Sequence, residues 1–293
     1  MAASLAERPG GKVLGVFRSN AEQQGAYDFL SNERIRSQDL LVAMRSATVR
    51  RCAGEPWVHV IVDGTSLRLT DSRRTKGFGA VGSTDNGASG LKVVHAYAVS
   101  ADGIPMDVLN QQWWARARRK KQADCQNRPL EAKETLHWVN AINDAALALT
   151  DAESRAWFQI DREGDRSWTL KALRDSGAWF TVRSTHAHRF VYAGGLKRRR
   201  RLRDVARKGK LRGIVEVELR ERPGRTARSA RVRIRTATII VDAVEAYSGE
   251  RMALHLDVVD VKEVGTTPRG EKPLHWRLLT NHPVVLLEKD GKL

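Results

Sequence analysis

Two aspartates constrain this chain more than any other feature. Each closes an apolar, β-like run: Val-His-Val-Ile-Val leads into Asp63 and then Gly-Thr-Ser, and Ala-Trp-Phe-Gln-Ile leads into Asp161 and then Arg-Glu-Gly-Asp. Aspartate is a poor strand former and is seldom buried, so carboxylates ending two buried strands are more easily explained by a site than by packing. Brought together, such a pair could hold a divalent cation and a phosphate. The formal net charge of +17 favours a polyanionic partner.

A chain of 293 residues with 41% hydrophobic content can bury a core, as one large domain or two ordinary ones. The only cysteines, Cys52 and Cys125, fit neither a disulfide framework nor a CxxC zinc cluster, so a reducing cytoplasm is expected. No apolar run approaches the ~18 residues of a membrane span, and no hydrophobic signal follows the first charges.

The positive charge is clustered. From Lys197 to Arg212 the chain reads KRRRRLRDVARKGKLR, ten basic groups with one Asp, a segment not expected to pack in a core. Arg116, Arg118, Arg119, Lys120 and Lys121 form a second cluster after Trp113-Trp114. Either cluster alone could be a solvated loop. Beside the carboxylate pair, contact with a nucleic-acid backbone is the better reading, and it predicts binding that weakens steeply with salt.

Periodicity supplies the order of elements. Residues 20 to 50 read as helical, with Ser19 or Asn20 as the cap. Strands are expected over 57 to 63, 90 to 100 and 104 to 109, with a turn region between the first two. An amphipathic helix follows over 133 to 149, where Leu136, Val139, Ile142, Ala146 and Leu149 recur at steps of three and four. A strand over 155 to 161 precedes a helix that starts near Asp165 and is capped by Gly177, and a fifth strand covers 178 to 184. This order matches an α/β mixed sheet of the ribonuclease H type, in which the first and fourth strands are neighbours and bring Asp63 and Asp161 to one sheet end. Beyond Ser184 the apolar–polar alternation around Val215–Leu219, Val232–Ile234 and Leu254–Val258 predicts half-buried antiparallel strands. The expected division is a helical segment over 1 to 52, a catalytic core over 53 to 184, a β-rich insertion over 185 to 275, and a last strand with a short tail over 276 to 293.

The chain resembles the DDE transposases of the bacterial insertion-sequence-four family, in the transposon-five transposase-like group. The resemblance runs through Gln24-Gly-Ala-Tyr-Asp-Phe-Leu, Asp63-Gly-Thr-Ser-Leu, Gln112-Trp-Trp, Asp161-Arg-Glu-Gly-Asp, Trp179-Phe-Thr-Val-Arg-Ser-Thr-His and Gly270-Glu-Lys-Pro-Leu-His-Trp-Arg-Leu-Leu-Thr-Asn-His-Pro. It implies a nucleoid-associated bacterial protein that cuts and joins double-stranded DNA at transposon terminal inverted repeats. Its site would be two aspartates and a glutamate holding two Mg²⁺ ions about 3.5 to 4 Å apart, with Mn²⁺ as a substitute. By this resemblance Asp63 and Asp161 are the first two ligands, Arg183 contacts the transposon-end backbone, and Trp276 stacks on a flipped base. Arg198, Arg199, Arg200 and Arg201 join them as candidate DNA contacts through their charge.

Blander alternatives stand beside these roles. Asp63 could be a turn residue, Asp161 could pair with Arg162 or Arg166, Arg183 could be an ordinary exposed strand residue, and Trp276 could belong to the core. The histidines at 186, 188, 255, 275 and 282 lack zinc-ligand spacing. The family's third carboxylate lies in a Tyr-x2-Arg-x3-Glu-x6-Lys signature that is not found here, and Glu288 is a poor substitute. The expectation is therefore a transposase truncated at both ends, catalytically incomplete, and without the C-terminal region through which the family dimerises on DNA. The alternatives are a non-catalytic DNA-binding inhibitor of transposition and a general basic nucleic-acid-binding protein.

Overall fold

The computed structural model describes residues 2–8, 12–73, 75–82, 88–116, 129–193, 198–244 and 249–284. Arg118, Arg119, Lys120, Lys121, Cys125, Lys197 and Glu288 lie outside the described residues. The chain divides into two compact units, Met1–Ala47 and Thr48–Leu293. No described helix is long and apolar enough to cross a membrane.

The first unit is helical: α1 (Ala2–Glu7), α2 (Val13–Val16), α3 (Asn20–Ser31) and the start of α4 (Ser37–Cys52). Ser19 is the cap of α3, accepting the Glu22 amide while the Glu22 carboxylate accepts the Ser19 amide. This reciprocal pair satisfies two otherwise unpaired helix-end donors. The single expected helix is two, and its small core is Val16, Phe17 and Ala26.

The second unit is α/β, built on one large mixed sheet. Its strands are β1 (Trp57–Arg68), β2 (Gly79–Ala80), β3 (Ser89–Val99), β4 (Pro105–Trp114), β5 (Arg155–Ile160), β6 (Trp179–Arg183), β7 (Phe190–Ala193), β8 (Arg200–Arg201), β9 (Lys210–Leu219), β10 (Arg228–Val244), β11 (Arg251–Glu263) and β12 (His275–Thr280). Neighbours run β2-β3-β1-β5-β6-β12-β11-β10-β7-β8, with β4 beside β3 and β9 beside β10. β1 is parallel to β5, and β5 to β6; β3 and β4 run antiparallel to β1 and to each other, respectively. The strands of the expected β-rich region belong to this same sheet. β12 pairs with β6 on one side and β11 on the other, so the ladder is unbroken.

The helices α5 (Thr135–Thr150), α6 (Ser167–Asp175) and α7 (Leu202–Lys208) contribute apolar side chains to one core. Trp138, Ile142, Leu149, Leu170 and Leu173 pack with Val58, Val60, Phe158, Phe180 and Val182, each large side chain worth about 1.5 to 3 kcal/mol on burial. Alternation turns the other residues of these strands to the opposite face. There Trp157 is edge-on to Trp57 and Trp179, and stacks at 4.1 Å on His282, while Arg155 lies 4.2 Å above the Trp179 ring.

The basic run is not wholly a solvated segment. Leu202 and Ala206 of α7 are fully buried, so a helix inside the run is anchored to the core while its arginines stay outside. Their spacing of four residues places both on one helix face.

Candidate functional site

The register of β1 and β5 aligns Val62 with Ile160, and the next residues are Asp63 and Asp161. The two aspartates thus leave neighbouring parallel strands side by side, and both are exposed. They do so differently. Asp161 ends its strand and caps the following turn, its Oδ1 accepting the Glu163 amide at 2.7 Å. Asp63 does not close its strand as expected: β1 continues to Arg68, and Asp63 faces His95 across the antiparallel ladder with β3. The sequence run of apolar residues stops at Asp63 because only the first half of β1 lies over the core.

Asp63 Oδ1 accepts the Gly64 amide at 2.9 Å. His95 is held below its ordinary pKa by burial, with the Asp63 charge acting in the opposite direction. A Cβ on Gly64 would lie 3.1 Å from the Trp138 ring and 3.7 Å from Glu163 Oε2, so a third carboxylate stands over the backbone next to Asp63. Glu163 carried no role in the sequence reading. Its only signal was its place in Asp-Arg-Glu-Gly-Asp. Gly164 lets the turn fold back, because a Cβ there would sit 2.2 Å from Ile160 Cγ2.

Asp165 lies close to the start of α6, as expected, but the residue before that helix is Arg166, which makes no side-chain cap. Asp165 instead points inward, its side chain fully buried. It accepts hydrogen bonds from Ser184 Oγ at 3.0 Å, the Thr185 amide at 2.9 Å and Arg189 at 2.6 Å. Those donors belong to the segment that directly follows Arg183, so Asp165 ties the turn bearing Asp161 to the strand bearing Arg183.

Arg183 is half-buried on β6. Burial lowers its pKa from the ordinary value; the like charges of Arg162 and Arg222 lower it further, and Asp161 opposes them. Arg162, Asp161 and Arg222 therefore all lie close enough to Arg183 for their charges to act on it. Arg222, in the β9–β10 turn, was missed because only the tertiary fold brings that turn to β6. Arg116 is already committed, forming a two-bond pair with Glu134 at 2.5 and 2.6 Å.

The other candidates lie elsewhere. Trp276 sits opposite Val261 on β12 and packs against a cluster containing Leu219, Val232 and Leu274. Arg198, Arg199, Arg200 and Arg201 are exposed. Arg201 bonds His188 Nδ1 at 3.0 Å, and Arg199 lies 5.9 Å from the Tyr192 ring. β8, which carries Arg200 and Arg201, is six strand steps from β5. At about 4.8 Å a step the arginine run is roughly 29 Å across the sheet from Asp161. Among the described residues no group of three or more His, Cys, Asp or Glu side chains is placed to hold a metal ion. No protein-family model matches the chain.

Proposed function

We propose that the chain is a DNA-processing protein of the DDE transposase type, with Mg²⁺-dependent phosphoryl transfer on transposon-end DNA as its reaction. The observation that carries this reading is the register that sets Asp63 beside Asp161 on parallel neighbouring strands. The strand order β4-β3-β1-β5-β6, with β1 parallel to β5 and β6 and antiparallel to β3, supports a ribonuclease H-like core.

The donor set suits one Mg²⁺ ion: two exposed carboxylates supply hard oxygen ligands, and water and phosphate oxygens complete the shell. Mn²⁺ accepts the same donors. Bound there, the cation would offset charge developing on the phosphoryl group. The chain's own groups do the positioning. The Gly64 and Glu163 amides orient the two carboxylates through one oxygen each. Arg183, close enough to feel the Asp161 charge, would supply positive charge to a phosphate approaching that carboxylate. The arginine run gives the duplex a second hold, and roughly 29 Å of separation corresponds to about eight or nine base pairs at ~3.4 Å each.

The test is nicking of supercoiled and transposon-end DNA with and without Mg²⁺. Activity that is lost in both Asp63→Asn and Asp161→Asn while DNA binding persists supports the reading; nicking that survives both substitutions refutes it. A second reading, DNA binding without cleavage, is favoured by the lack of a three-ligand group among the described residues. It holds if the wild-type chain binds transposon ends and nicks nothing in Mg²⁺ or Mn²⁺.

A further inference from the structure

A cavity of about 760 Å³ opens beside α7, lined by residues of β7, β8, α7, β9, β10 and β11 and far along the sheet from the aspartates. β9 accompanies one edge of β10 as far as Lys210 opposite Thr236, and β7 takes it up from Ala193 opposite Ile239. Between them Ala237 and Thr238 are paired, among the described residues, to β11 alone. Gly209 turns the chain tightly against β10, since a Cβ there would meet the Thr236 carbonyl oxygen at 2.6 Å.

The lining has two characters. Arg200, Lys208 and Lys210 are exposed at the cavity, and among the described residues none of them has a carboxylate partner. Arg212 joins them, held in place by donating from Nε to Thr236 Oγ1 at 2.6 Å. Asp257, also in the lining, accepts the Thr238 hydroxyl at 2.8 Å through Oδ1. Ala193, Val205 and Ala237 give small apolar walls. Asp204 also lines the cavity, 3.6 Å from Arg203, but the four cations outnumber the two lining carboxylates and call for an anion of phosphate type. Phosphate alone would leave the second oxygen of the Asp257 carboxylate unmet, whereas a planar heterocycle with an N–H donor meets it. The volume falls in the range of small-ligand sites, about 300 to 1,000 Å³.

We infer that this cavity binds one nucleoside phosphate, its phosphate on the Lys208–Lys210 side and its base against Thr238 and Asp257. The nucleotide is either free in solution or part of a nucleic-acid strand, and the chemistry of the site is the same for both. The site does not depend on Asp63 or Asp161.

The experiment is calorimetric titration of the full chain with each common 5′-nucleoside monophosphate, with pyrophosphate as the base-free probe and a short single-stranded oligonucleotide as competitor. Saturable binding of at least one monophosphate or of the oligonucleotide is expected at one site per chain. The double variant Lys208→Gln, Lys210→Gln should weaken it about tenfold or more. Asp257→Asn should change the ranking of the bases, because an amide offers a donor where the carboxylate offered an acceptor. Displacement of a bound monophosphate by the oligonucleotide assigns a strand-borne nucleotide; failure to displace it assigns a free one. The inference is overturned if neither ligand binds, if pyrophosphate binds as tightly as every nucleotide, or if the base ranking is unmoved by Asp257→Asn. Asp63→Asn should leave all of this unchanged, so loss of the phosphoryl-transfer reading and loss of this one are separately visible.

Discussion

Asp165→Asn is the most revealing single substitution. The Asp165 side chain has no exposure, and Arg189 is 17% exposed in the pair. Ser184 and Thr185 both donate to Oδ2, whereas Arg189 donates to Oδ1. Asparagine is nearly the same shape but has one acceptor oxygen. If that oxygen keeps Ser184 and Thr185, its NH₂ group is set against the Arg189 guanidinium, whose second terminal nitrogen is already buried with no partner among the described residues. Breaking one side of a buried ion pair costs about 3 to 5 kcal/mol, and the residual exposure of Arg189 argues for the lower end, about 3 kcal/mol. For a unit of this size that is a fall in melting temperature of about 6 to 12 °C. Ser184→Ala removes only a neutral donor and should cost about 1 kcal/mol. Urea unfolding of the two variants against wild type reads both values. Asp165→Asn within about 0.5 kcal/mol of wild type, or no more costly than Ser184→Ala, would refute the claim that this carboxylate anchors the site. Below its melting temperature the variant should also lose nicking beyond any loss of folded protein, because Asp161 and Arg183 are no longer tied together.

Replacing Arg198, Arg199, Arg200 and Arg201 with Gln should lower the salt slope of duplex binding by up to about 3.6, at ~0.9 per phosphate contact; an unchanged slope removes the run from the interface. The Cys52 thiol, pushed up to about 11 mainly by burial, should resist alkylation at pH 8 in the folded chain and react on unfolding, read by thiol titration at Cys52 in a Cys125→Ser background. His59, His95 and His137 are all lowered by burial from 6.5. The unfolded chain therefore takes up these protons first, so stability should fall as pH drops through about 6.5 and toward the lower folded values. Melting temperatures between pH 7.5 and 5 check this, and His137→Gln should reduce the dependence.

The sequence carried most of what local pattern can carry. The run from Trp57 predicted β1, and Gly177 marked the end of α6, adopting φ +67° just past it. The neighbouring positions of Asp63 and Asp161 followed from the order of elements. What could not be read depends on partners distant in the chain. The second half of β1 holds polar residues over no core, and it becomes a strand only through its ladder with β3. Asp165 resembled a helix-start acid because the donors that claim it are 19 to 24 positions away. The helix α7 was hidden by its own charges: Leu202 and Ala206 keep a helical spacing, but the surrounding arginines dominate any window drawn over them.

The pairing of β12 with both β6 and β11 has a mechanical consequence. If the proposed reading holds, a nucleic acid at the arginine edge and a phosphate at Asp161 would rest on one continuous hydrogen-bonded sheet. The spacing between the two grips would then be set by the number of strands between them, and a bound duplex would have to match it.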